Sequence, residues 1–366
     1  MEYIKKNKAT ILLEDGSMFF GNSVGFRGIA TGEVCFNTGM TGYQEVFTDP
    51  SYYQQIMITT NAHIGNYGTD INESESLSPK IAALVCKNFT YSYSRVRSNK
   101  SLFDFFNDYK LIAVHDIDTR ALVRHVREKG AMNAVISTDG TSIEELKKIL
   151  SNVPSMNGLE LASKVTTQKS YFYGDKNSDF KISVLDVGVK KNILDCMSSR
   201  GAYLKVFPSN TSYDELIKWM PDGFFISNGP GDPSVMHEVI ETTKKIMNSK
   251  HPKFGICLGH QLMAISVGIS TYKMHNGHRG INHPVQNLET GQCEVTSQNH
   301  GFSVKEDDIK KDFAKITHLN LNDKTVEGLE YIGKNAFSVQ YHPESSPGPH
   351  DSRYLFDKFI DKVKKK

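Results

Sequence analysis

From Ile182 to Gly268 the chain alternates short apolar runs with helical patterns, and few folds accept such an alternation. ISVLDV, AYLKVF, GFFISN and KFGI read as strands, while KKNILDCMSSRG, SYDELIKWM, VMHEVIETTKKIMNS and LGHQLMAISVG read as helices. Strand, helix and strand in repetition call for a parallel sheet covered by helices on both faces. In such an α/β sheet, ligand sites gather at the carboxyl ends of the strands. Past Gly268 the alternation loosens into the shorter strand candidates QCEVTS, VEGLEY and FSVQY.

The region before this unit has a different grammar. TILLEDGSMFFG reads as a hairpin, because its Asp15-Gly16 pair supplies the positive φ of a tight turn. EVCFN, QQIMITT, IAALV and LIAV are further strand candidates. DTRALVRHVREKG sets Leu122, Val123 and Val126 on one helical face ahead of Gly130, and TSIEELKKIL opens with a capping box from Thr141 to Glu144. Clustered strands with few helices predict a mixed α+β domain over residues 1–150. Residues 151–180, rich in Ser, Asn, Thr, Gly and Lys, read as a connection, and 181–366 as the α/β domain.

Charge excludes some partners. With 43 basic and 41 acidic side chains the net charge is +2, so nothing points to nucleic acid or an anionic membrane surface. Five cysteines, at 35, 86, 196, 257 and 293, lack the close pairs of a zinc site or a disulfide framework, which fits a reducing cytoplasm. MEYIKKNKAT leads into no signal-like apolar run, and no segment approaches the ~20 apolar residues of a membrane span.

Three segments at strand ends carry candidate chemistry. In KFGICLGHQL, Cys257 stands where a strand hands over to a helix, with Gly255 and Gly259 two positions away on either side. This is the cysteine form of a nucleophile elbow, and the helix N-terminus favours a thiolate and a later oxyanion. A small core residue is the other reading of Cys257. YHPE places His342 and Glu344 around a stiff proline after FSVQY, a base with its orienting acid. SNGPGDP follows GFFIS and sets Gly229 and Gly231 in a tight loop whose amides can hold an oxyanion, or which is a plain turn. Cys35, Cys86, Cys196 and Cys293 read as core or near-surface thiols, and His260 and His300 as hydrogen-bonded structural groups.

GPGDP, GICLGHQ and HPE, in that order over about 181–366, resemble the class I (triad) glutamine amidotransferases. FNTGMTGYQEVFTDPSYYQQI, AHIGNYG, DIDTRALVRHVREKG, GHRGINHPV, SQNHGF and HPESSPGPHD extend the resemblance to the small, glutamine-hydrolysing subunits of carbamoyl-phosphate synthase over nearly the whole chain. The resemblance implies that Cys257 attacks the glutamine carboxamide, that His342 moves the protons and that Glu344 orients His342. It also implies that Leu258 and Gly229 hold the oxyanion, and that Gln261, Gly231, Asn299, Gly301 and Phe302 hold the amino-acid end of L-glutamine, with Ser51 of TDPSYY reaching the same substrate. By itself Ser51 reads as a turn hydroxyl.

The resemblance further implies a large-subunit partner in a heterodimer, alone or in an oligomer of heterodimers. That partner would use ammonia, bicarbonate and ATP with Mg2+ to make carbamoyl phosphate for arginine and pyrimidine synthesis. No cofactor or metal is expected on this chain, which has no Walker-type loop. In KMHNGHRG, His275-Asn276 departs from the family, where a Phe commonly closes the pair, a change expected to act on packing near the substrate. Amidotransferases serving anthranilate, GMP or CTP synthesis would lack the N-terminal segments. A silent regulatory subunit would lack a triad member, and an unrelated thiol hydrolase or peptidase would act on peptides or esters.

Overall fold

The computed structural model describes residues 7–365 and divides into two compact units, 1–156 and 157–366. In the first, nine strands are β1 (Asn7–Leu13), β2 (Met18–Gly25), β3 (Ile29–Asn37), β4 (Gln55–Thr59), β5 (His63–Ile64), β6 (Ala83–Val85), β7 (Asn88–Phe89), β8 (Ile112–His115) and β9 (Asn133–Ser137). Seven of them close a barrel in the order β1-β2-β8-β6-β4-β3-β9, while β5 pairs only with β7. Asp15-Gly16 makes the expected turn: Gly16 has φ 88°, and the Ser17 amide donates to Asp15 Oδ1 at 2.9 Å.

Side chains from all seven barrel strands, among them Ile11, Val34, Ile58, Val85, Val114 and Ile136, join Leu122 and Val126 of the helix Thr119–Lys129 in one cluster. The intervening residues Cys35, Met57, Leu84 and Ala113 pack on a second cluster with Tyr43, Phe47 and Phe106. Strands covered on both faces read as unbroken apolar runs, which is why QIMIT and ALV show no alternation. The cap expected at Thr141 lies one residue later. Thr141 gives its hydroxyl to Asp139 Oδ1 at 2.7 Å, and the Ser142 hydroxyl accepts from the Glu145 amide at the start of the helix Ile143–Leu150.

The second unit is built on one ten-stranded sheet. Its strands are β10 (Tyr171–Tyr173), β11 (Phe180–Asp186), β12 (Ala202–Pro208), β13 (Gly223–Ile226), β14 (Lys253–Ile256), β15 (Thr271–Asn287), β16 (Cys293–Val304), β17 (Ala314–Asn320), β18 (Val326–Tyr331) and β19 (Ala336–Val339). The order is β10-β12-β11-β13-β14-β19-β18-β17-β15-β16. From β12 to β19 the neighbours are parallel, and from β19 to β16 they are antiparallel.

Helices Lys191–Ser198 and Tyr354–Lys364 cover one face around Phe254 and Ile256. His237–Asn248 and Leu258–Ser266 cover the other around Leu185 and Ile226. Residues 157–180 contribute to this unit: Ala162–Val165 is a short helix and β10 extends the sheet beside β12. Its pattern hid the strand because Tyr171 and Phe172 stay exposed on an edge. Among the described residues no helix is long and apolar enough to cross a membrane.

Candidate active site

Four adjacent parallel strands, β11, β13, β14 and β19, end on one side of the sheet, and each is followed by a chemically distinctive residue. Cys257 directly follows β14 and caps the helix Leu258–Ser266 with φ 54° and ψ −105°, a conformation that L-residues avoid. Strain of this kind persists only where the surroundings enforce it. Here the Cys257 amide donates to Val339 O of β19 at 2.9 Å, and the Gln261 amide returns to Cys257 O at 3.2 Å. The flanking glycines serve close approach rather than unusual torsions. A β-carbon at Gly259 would stand 2.1 Å from Ile226 O, and one at Gly255 would stand 2.9 Å from the Gly259 backbone. Helix and sheet therefore touch backbone to backbone beneath the thiol.

Past β19, His342 is fixed by its amide, which donates to Ser297 O at 2.9 Å. Its Nδ1 faces Glu344 Oε1 at 2.7 Å, while Nε2 is buried without a hydrogen-bonded neighbour. Burial opposes a charge on this imidazole. Glu344 and then the Cys257 side chain outweigh burial, so His342 holds its proton above the usual histidine range. Cys257 itself is 2% exposed, with its thiol 3.6 Å from Asn299 O. A thiol, an imidazole with one open nitrogen and a carboxylate thus follow one another, which is the arrangement of an activated nucleophile.

Lys190 is a site residue that the sequence pattern hides, because KK there reads only as the opening of a helix. It follows β11, and its Nζ donates to Glu344 Oε1 at 2.9 Å and to Ser346 O at 2.9 Å. Both side chains are buried, at 3% and 0% exposure. Burial would raise the Glu344 pKa, but Lys190 first and His342 next hold the carboxyl well below its ordinary range. The available signal was a lysine three residues past the predicted strand ISVLDV, at the edge where chemistry was expected.

The loop SNGPGDP follows β13. Gly229 abuts β11, since a β-carbon there would stand 1.9 Å from Val187 O and 2.9 Å from Leu258 Cδ2. Gly231, at φ 96°, turns toward Leu159 and pairs with Glu160. The remaining candidates lie on the elbow helix and on β16. Gln261 Nε2 donates to Phe302 O at 2.8 Å and to Gln340 Oε1 at 3.0 Å, so the elbow helix grips the end of the segment Asn299–Phe302. The departure at His275-Asn276 falls in a bulge of β15 between Lys273 and His278. Gly277 closes that bulge at φ 67°, and a β-carbon on it would lie 2.4 Å from His300 O and 3.1 Å from Gly301 Cα.

His260 Nδ1 faces Ser338 Oγ at 2.8 Å, and burial pushes its pKa down to about 3. Ser51 lies in the first unit, buried in the turn Pro50–Tyr52, where its amide donates to Asp49 Oδ1 at 2.8 Å. Of the other cysteines, 35, 86 and 196 are buried and 293 is exposed, and none of them is in a disulfide.

Residues 183–362 match the class I glutamine amidotransferase family, and residues 11–136 match the carbamoyl-phosphate synthase small chain, CPSase domain. The whole chain is similar to the carbamoyl phosphate synthase small chain of Synechocystis sp., at 47% identity over 96% of this chain and 95% of that one. The small chains of Neisseria meningitidis serogroup A (44%, 97% of this chain and 98% of that one) and Chlorobaculum tepidum (44%, 96% and 97%) are also similar.

Proposed function

The chain belongs to the carbamoyl phosphate synthase small-chain family and carries a class I glutamine amidotransferase domain, and from that premise we propose that Cys257, His342 and Glu344 hydrolyse glutamine to supply ammonia to a large synthetase chain. The observation that carries the reading is the open, buried Nε2 of His342 beside the Cys257 side chain, with Nδ1 pinned by Glu344.

In this mechanism the thiol proton passes to His342 Nε2 and sulfur attacks the carboxamide carbon. The developing oxyanion meets amides at Leu258 and Gly229. Such donors contribute about 2.7–4 kcal/mol each in comparable sites. The C–N bond breaks as His342 returns the proton to nitrogen, releasing ammonia and leaving a γ-glutamyl thioester. Water then gives a proton to His342 while its oxygen attacks the thioester. The C–S bond breaks, glutamate departs and the proton returns to sulfur.

The amino-acid end of glutamine would rest on Gln261, Gly231, Asn299, Gly301 and Phe302, and the family resemblance adds Ser51 to the substrate-binding residues. No cofactor is assigned to this chain. ATP and Mg2+ belong to the large chain, which would combine the ammonia with bicarbonate in a heterodimer or an oligomer of heterodimers serving arginine and pyrimidine synthesis. A reducing cytoplasm suits five cysteines that form no disulfide.

The test is co-purification and reconstitution. The chain should draw down a large ATP-binding chain, hydrolyse glutamine slowly alone and accelerate in the complex. Full glutaminase activity in isolation, with no gain on adding the large chain, would refute the assignment.

A further inference from the structure

Behind the segment Gln298–Phe302 lies a buried polar network that the proposed chemistry does not use. In β16, side chains alternate between the two faces, so Gln298 and His300 share one face and Asn299 and Gly301 the other. Gln298 Nε2 donates to Glu327 Oε1 at 2.9 Å, and its Oε1 faces His300 Nε2 at 2.9 Å. His300 Nδ1 faces Phe302 O at 2.8 Å, the same carbonyl that accepts from Gln261. Glu327, 0% exposed on β18, also accepts from Asn320 Nδ2 at 2.8 Å, and its Oε2 is buried without a partner.

The cationic end of this network is His278, paired with His300 across β15 and β16. Its Nε2 lies 2.8 Å from Asp323 Oδ2 and its Nδ1 lies 3.4 Å from Glu327 Oε1. Carboxylates at both nitrogens make the ring an imidazolium. Burial would lower its pKa, but Asp323 and Glu327 raise it to about 9. Ligating atoms of His278, His300 and Glu327 fall within 4.8 Å of one another. Every ring nitrogen of the two histidines already faces a protein partner, so protons rather than a metal account for the cluster.

We propose that His278, clamped between Asp323 and Glu327, is a positioning residue for glutamine: it fixes Glu327, and through Gln298 and His300 it sets where the segment Asn299–Phe302 meets the substrate. The inference rests on the glutaminase reading. Without the imidazolium, Glu327 keeps only amide donors, and a buried carboxylate short of compensation protonates or shifts, taking Gln298 with it. The thiol, His342 and Glu344 lie outside this network, so binding rather than chemistry should suffer.

The experiment measures glutamine- and ammonia-dependent carbamoyl phosphate formation by the holoenzyme. His278→Gln should raise the glutamine KM about tenfold or more, the equivalent of ~1.4 kcal/mol, with kcat for glutamine and the ammonia-dependent rate nearly unchanged. Adding Glu327→Gln removes both charges and should bring KM back toward wild type. Asp323→Asn, at the solvent edge of the network, should raise KM less. An unchanged KM in folded His278→Gln, or a fall in kcat alone, overturns the proposal. Should that variant fail to fold, unchanged KM in Asp323→Asn overturns it instead. Absence of glutamine-dependent synthesis in the wild-type holoenzyme would strike the glutaminase reading itself, a separate result.

Discussion

Replacing Lys190 by Met preserves most of the side-chain volume and deletes one ammonium from the interior. That ammonium lies 2.9 Å from Glu344 Oε1, and neither side chain is more than 3% exposed. At an effective dielectric of about 20 the direct attraction at this separation is about 6 kcal/mol. Breaking one side of a buried pair typically costs about 3–5 kcal/mol, because the survivor is left uncompensated. Glu344 can limit that loss by taking a proton, which places the stability cost of Lys190→Met near 3 kcal/mol.

A neutral Glu344 no longer supports an imidazolium at His342, so the glutaminase kcat should fall by about 10²–10³, the equivalent of ~2.7–4 kcal/mol. The acid limb provides an independent readout. The folded pKa of Glu344 is depressed, so its contribution to stability is present above the unfolded value of about 4.3 and is lost as pH falls toward the folded one. Lys190→Met should flatten that limb. Thermal unfolding against pH, together with glutamate release by the holoenzyme, measures both effects. Lys190→Met/Glu344→Gln should regain stability without regaining rate. A single variant with wild-type kcat and an unaltered acid limb would refute the reasoning.

Cys257→Ser should abolish glutamine-dependent carbamoyl phosphate formation and spare the ammonia-dependent reaction. Equal loss with both nitrogen donors would sink the nucleophile assignment. Gly259→Ala forces a methyl to within 2.1 Å of Ile226 O, so it should destabilise the fold by at least about 1–3 kcal/mol and reduce glutaminase turnover. Wild-type melting and turnover would show that the elbow yields. Lys253, buried at the start of β14 with its ammonium donating to Ser249 O and Lys334 O, has its pKa pushed down to about 8 by burial. Between pH 8 and the unfolded value of about 10.4 the unfolded chain binds more protons, so this lysine adds stability as pH rises. Relative to Lys253→Met, the wild-type melting temperature should climb across that window, and parallel profiles would contradict the sign.

Local signals carried much of the second unit. Each strand from β11 to β14 is short, apolar and bounded by a helix with a clear stripe, so its pattern alone specifies a parallel core. Cys257, His342 and the Gly229 loop were legible for the same reason: they sit where a strand ends. Lys190 was not, because its importance comes from Glu344, a partner distant in sequence that only the neighbouring strand ends bring near.

Barrel closure in the first unit was equally hidden. It depends on β1 meeting β9 and β2 meeting β8, pairings between remote segments with no local mark. β15 escaped because Gly277, Gly280 and Pro284 interrupt its 17 residues and two register shifts break its alternation. The polar face behind β16 reads as scattered histidines and acids until the hairpin aligns His278 with His300.

Cys257 and His342 rise from β14 and β19, strands hydrogen-bonded to each other with Ile256 opposite Val339. The spacing of the two strands is set by the repeat between neighbours, about 4.8 Å, and not by the path the chain takes between them. Connecting turns can lengthen, be cut or be rejoined elsewhere without changing how these two strands pair. Permuted or split versions of this unit that keep both strands should still align the pair, leaving the outer turns free to diversify while the reacting atoms stay in step.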